Sequence, residues 1–175
     1  GGSYEIPGDN TDPSGLHALW TSSDAGWTSA RNQIMANHQV IGFKSCFTIL
    51  PGLDGATVSQ WQAGYLAMRD FFDAHPEKLF VVVTPPPLHR NETNSGEAAL
   101  ARQFASWLAG PYAAGHPNVR CFDLFDRLAQ PNDGSATANM LRVAYESGDS
   151  HPNAAGYQAA GPALAQFMLD AAFAY

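Results

Sequence analysis

The residues best suited to chemistry in this 175-residue chain lie in Asp149-Ser150-His151-Pro152-Asn153. An aspartate two residues before a histidine can accept from one ring nitrogen, which leaves the other nitrogen as a general base. Pro152 narrows the backbone choices of His151 and suits the first turn of a helix. The same residues also suit a plainer role, in which Asp149 or Asn153 caps that helix and His151 is a surface residue. The spacing alone leaves both roles open.

The elements around this segment follow from hydrophobic periodicity. A last helix is expected over 154–173, with Tyr157, Leu164, Phe167, Met168 and Ala171 at helical intervals. The run Leu79-Phe80-Val81-Val82-Val83-Thr84 is apolar on both faces, as a central parallel strand should be, and Pro85-Pro86-Pro87 stops it. Further strands are expected over 39–47 and 119–125. Helices are expected over 27–37, over 58–74 with Thr57 as cap, over 96–109 and around 138–145. Residues 4–26 read as loop with one helical turn, anchored by Leu16, Leu19 and Trp20. Alternating strands and helices specify a parallel sheet with right-handed crossovers, whose site lies beyond the carboxyl ends of the strands. No repeat or linker divides residues 1–175, so one α/β domain is expected. Three strands are few for so apolar a chain, and no strand is expected before residue 39.

Bulk properties narrow the partners. A net charge of -7 with no basic stripe argues against nucleic acid. No apolar run reaches the length of a membrane span. Few lysines and many small polar residues lean towards a secreted protein. Cys46 and Cys121 sit at strand ends and read as free buried thiols, with a disulfide left open. His17, His38, His75, His89 and His116 lack metal-ligand spacing, and no metal or organic cofactor is expected. At the strand ends, Ser45 and Cys46 could act as nucleophiles within reach of His151, or serve only as a packed strand terminus. His89, Arg90 and Asn91 follow the triple proline and would border the cleft, as substrate-binding groups or as surface loop.

The stretch Asp149-Ser150-His151-Pro152-Asn153-Ala154-Ala155-Gly156-Tyr157 resembles the C-terminal block of the SGNH (GDSL-type) hydrolases. That block reads Asp-x-x-His-Pro-x-x-x-Gly-Tyr, and here the gap from Asp to His is one residue shorter. The resemblance covers 38–175. It implies a three-layer α/β/α sandwich of flavodoxin-like order that cleaves acyl esters, with carbohydrate O-acyl esters as the substrate class. It makes His151 the general base and Asp149 its orienting partner. Where the family places an oxyanion-binding Asn at the end of a strand, this chain has Ser45 or Cys46. The family's nucleophile is a serine after the first strand, whereas this chain has Gly8-Asp9-Asn10, which reads as a turn. The resemblance thus implies that the first strands are absent from this stretch and come from another segment or polypeptide. A non-catalytic binding or assembly module on the same scaffold is the rival expectation.

Overall fold

The computed structural model describes residues 4–8, 12–46 and 52–175. Helices α1 (Pro13–Thr21) and α2 (Ala25–Asn37) precede β1 (Val40–Lys44). Then come α3 (Gly55–Asp73), β2 (Leu79–Val83), α4 (Ser95–Trp107), β3 (Val119–Phe122), α5 (Leu124–Leu128) and α6 (Ala154–Ala174). The three strands are parallel in the order β1-β2-β3, with Val40 opposite Leu79 and Phe80 opposite Val119. This is the expected α/β class, with crossover helices between parallel strands. All five residues of β2 are buried, which follows from its central place and unbroken apolar run.

Helical residues cover both faces of the sheet. On one face Ile41, Phe80 and Val82 join a core with Leu16, Trp20, Tyr65, Phe72 and Phe104 of α1, α3 and α4. Trp20 meets Phe72 and Phe80 edge-on, and Phe72 stacks on Phe80 with ring centroids 4.0 Å apart. On the other face Leu79 and Val81 pack against Phe167, Met168 and Ala171 of α6. Gly42 lets α6 approach, since a Cβ there would lie 3.2 Å from the Met168 methyl.

Several boundaries differ from the expected ones, each for a local reason. Residues 13–21 form a full helix rather than a turn, because Asp12 caps it and Pro13 opens it. Helix α3 starts at Gly55, because Asp54 and not Thr57 is its cap; the Asp54 carboxylate accepts from the Thr57 N–H at 2.8 Å. Strand β3 ends at Phe122, because the Asp123 side chain accepts from the Asp126 N–H and starts α5. Helix α4 gives way at Leu108 to a five-residue π turn containing Pro111. The helix expected around 138–145 shrinks to one 3-10 turn, Val143–Tyr145. There Asn139 takes a left-handed φ of 66°, Gln130 and Met140 pair through their backbones, and Leu141 donates to Leu88. Those long-range bonds compete successfully with a local helix. Tyr157, expected inward, is 61% exposed, and Phe173 near the end of the same helix is 88% exposed.

Both outer strands border grooves. The edge of β1 that does not face β2 borders one of about 400 Å³, lined by Leu16, Trp20, Ile34, Val40 and Phe43 among others. Strand β3 meets one of about 800 Å³ only at its last residue, Phe122; Arg127 of α5, Tyr145, and Phe167 and Asp170 of α6 are among its other lining residues. Both cysteines are free. Among the described residues no helix is long and apolar enough to cross a membrane.

Candidate functional site

The Asp149–His151 segment forms the tip of a loop clamped at its base. Glu146 bridges Pro152, and the Asn153 N–H donates to the Tyr145 carbonyl at 2.8 Å. The Asn153 side chain works in both directions. Its oxygen accepts from the N–H groups of Ala155 and Gly156 and so caps α6, while its Nδ2 donates to the carbonyls of Ala144 and Glu146. Gly156 is required by packing, since a Cβ there would stand 2.6 Å from the Pro152 Cβ and 3.2 Å from that of Tyr145. Gly148, with φ at 116°, supplies the turn that most side chains would strain.

At the tip, Asp149 does not cap the helix. Its Oδ1 accepts from the His151 N–H at 2.8 Å and lies 3.1 Å from the His151 Nδ1. The Ser147 hydroxyl lies within reach of both Asp149 Oδ1 (3.2 Å) and the His151 carbonyl (2.6 Å). These donors hold the Asp149 carboxyl below the usual aspartate value, the backbone N–H of His151 contributing most. A proton on Nδ1 shared with Asp149 leaves the Nε2 lone pair as the basic one. The side chains are open to solvent, 67% exposed for His151 and 56% for Asp149. The pair is therefore a carboxylate-oriented imidazole at the surface, able to take and return a proton.

The residue between them faces the opposite way. Ser150 is buried; its hydroxyl accepts from the His89 N–H at 2.9 Å and donates to the Glu92 carboxylate. His89 and Arg90, expected as substrate-binding groups or as surface loop, are joined to the base of the loop. Arg90 donates through Nε (2.9 Å) and one Nη (2.5 Å) to the same oxygen of Glu146. His89 is buried, its Nδ1 accepts from the Asn91 N–H at 3.1 Å, and its Nε2 lies 3.6 Å from Glu146. Asn91 is exposed in the same loop.

Ser45, the other candidate, follows β1 and is fully buried; its hydroxyl accepts from Tyr65 at 3.4 Å. A substrate cannot reach that hydroxyl in this arrangement. Burial pushes the Tyr65 phenol far above its ordinary value, so it stays a neutral donor. Cys46 beside it is half-buried. The Cys121 thiol is likewise raised well above the usual range by burial, with the nearby Asp123 adding to the effect, so it stays protonated and unreactive. The expected turn at Gly8-Asp9-Asn10 falls partly outside the described residues, which include only Gly8.

Glu92, Glu146 and Ser150 escape sequence reasoning. Glu92 and Ser150 are 58 residues apart, and Arg90 and Glu146 are 56 apart, so no local pattern pairs them. A second exposed pair, His116 Nδ1 to Asp73 at 2.8 Å, sits where β2 and β3 begin, at the end of the sheet away from this loop cluster. Among the described residues no cluster of three His, Cys, Asp or Glu side chains is arranged to hold a metal. Compared with protein-family models, curated proteins and solved structures, the chain finds no match in any of the three.

Proposed function

We propose that this chain carries the acid–base arm of a serine ester hydrolase with an SGNH-like three-layer α/β/α architecture. The observation that carries the reading is the exposed His151 ring with Nδ1 at 3.1 Å from Asp149. The uninterrupted order β1-β2-β3 is compatible with it, since the last three strands of a flavodoxin-like 2-1-3-4-5 sheet also lie side by side. The groove along β1 leaves room for a further strand, from another segment or chain, to bring the serine.

In the reaction the serine oxygen attacks an acyl carbonyl while His151 Nε2 takes its proton. Asp149 stabilises the imidazolium that results. His151 then returns the proton to the departing alkoxide. Water, deprotonated by the same ring, cleaves the acyl-enzyme and restores the serine. The substrate class is an acyl ester, with carbohydrate O-acyl esters first to try. No metal or organic cofactor enters these steps, and an extracellular setting suits the few lysines.

The test is hydrolysis of p-nitrophenyl acetate by the intact protein. His151→Ala should lower turnover by at least about 10²-fold, whereas His116→Ala should leave it unchanged. Equal turnover of the wild type and His151→Ala sinks the assignment.

One observation favours a second reading, a non-catalytic binding module: Ser45, at the place of the oxyanion donor, is fully buried. A fluorophosphonate probe separates the two. Labelling of the folded protein supports the hydrolase, and absence of labelling supports the module.

A further inference from the structure

We infer that Ser150 is a positioning residue which, through Glu92 and the backbone of His89, holds the Asp149–His151 pair in its working geometry. The inference deepens the hydrolase reading and rests on it only for its effect on turnover. Asp149 and His151 are mostly exposed; Asp149 accepts from the His151 N–H, and the Ser147 hydroxyl lies within reach of Asp149 and of the His151 carbonyl. An exposed pair of this kind is worth little by itself and gains little rigidity from its own attraction. Ser150 differs in that both its neighbours are open to water while it is buried, and its hydroxyl is used twice.

Both partners belong to the 88–92 loop after β2. That loop is itself held by the Glu92 N–H to the His89 carbonyl at 2.9 Å and by Leu141 donating to the Leu88 carbonyl at 2.8 Å. A buried donor such as the His89 N–H resists losing its acceptor, because an unpaired buried N–H carries its full desolvation cost. The hydroxyl is thus drawn inwards, and its two covalent neighbours are carried to the rim with their side chains outward. Glu146 secures the same loop at its base through Arg90, and Asn153 holds the Glu146 carbonyl. The arm is fixed from beneath by residues of the 88–92 loop and by Glu146 and Asn153.

Imidazole ¹⁵N shifts report which ring nitrogen of His151 carries the proton. They read the geometry whether or not the protein hydrolyses esters. In wild type the proton should favour Nδ1. In Ser150→Ala the preference should weaken towards that of Asp149→Asn, and turnover of p-nitrophenyl acetate should fall roughly tenfold through kcat, with KM little changed. Glu92 lies on an exposed loop residue, so its variants should fold even where Ser150→Ala does not. Glu92→Gln keeps an acceptor for the hydroxyl and should retain the wild-type spectrum, while Glu92→Leu should shift it as Ser150→Ala does. Unchanged His151 shifts in both Ser150→Ala and Glu92→Leu overturn the inference. Sensitive shifts in a protein that never hydrolyses an ester overturn the hydrolase reading and leave the positioning role standing.

Discussion

Two histidine–carboxylate pairs stand in one loop cluster, and they differ in what surrounds them. His89 and Glu146 are buried or nearly so, and their polar groups are already engaged. Nδ1 accepts from Asn91, the His89 backbone donates to Ser150, and Glu146 takes both donors of Arg90. His151 and Asp149 are exposed, and the carboxylate serves the imidazole beside it. The His89 ring is buried, with Nδ1 bonded to the Asn91 N–H and Nε2 3.6 Å from Glu146. The His151 ring is oriented by a carboxylate and mostly exposed, the setting that the proposed proton transfer requires. Each pair joins an imidazole to a carboxylate, Glu146 in one and Asp149 in the other, and the two differ most in their burial.

The largest effect that would break this comparison concerns stability. His89→Ala removes a buried ring and strands the Asn91 N–H, and should cost about 2–3 kcal/mol. His151→Ala should change stability by no more than about 0.5 kcal/mol, since its side chain is mostly in water. Urea unfolding reads both, with midpoints shifting at constant slope. If the two variants lose equal stability, the division between architecture and chemistry fails.

A smaller effect sharpens the same point. Arg90→Met removes the charge-assisted bonds to Glu146 and leaves that carboxylate with His89 as its remaining partner. The guanidinium is more than a third exposed, so solvent screening reduces the loss to about 1–2 kcal/mol. Adding 0.5 M salt should weaken the wild type towards the variant and leave the variant little changed. Salt-independent stability in the wild type would mean that Arg90 acts by packing alone.

The part of this legible in the sequence is the part that depends on neighbours in the chain. The buried run of β2 announces itself because every residue from Leu79 to Val83 is apolar. The pairing of Asp149 with His151 is legible because only Ser150 separates them in the chain. The clasp is not legible, since Ser150 meets Glu92, and Arg90 meets Glu146, only after β2 and the α6 loop have been brought together. Reading His89 and Arg90 as substrate-binding groups placed them at the correct end of a strand but could not reveal the carboxylate waiting there. Tyr157 misleads for a related reason. Its helical spacing matches the buried stripe of α6, but Gly156 beside it is the residue pressed against Pro152 and Tyr145. The helix thereby enters with Tyr157 turned to solvent.

The smallest effect tests where the charge of Asp149 is anchored. Its carboxyl lies below the ordinary aspartate value, and the first cause is the backbone N–H of His151, ahead of that residue's side chain. Because the folded value is depressed, whatever the ionised carboxylate contributes is complete above the unfolded value of about 3.9. It fades as the pH falls through the lower folded value. A ¹³C titration of the Asp149 carboxyl should therefore give a midpoint below that of an unstructured aspartate. The informative variant is His151→Ala, which deletes the ring and keeps the N–H. Its midpoint should rise only part of the way back. A complete return to the ordinary value would show that the ring holds the carboxylate. The loop tip would then owe its shape to the His–Asp contact itself, and the backbone bond that now explains why Asp149 stays beside His151 would lose that role.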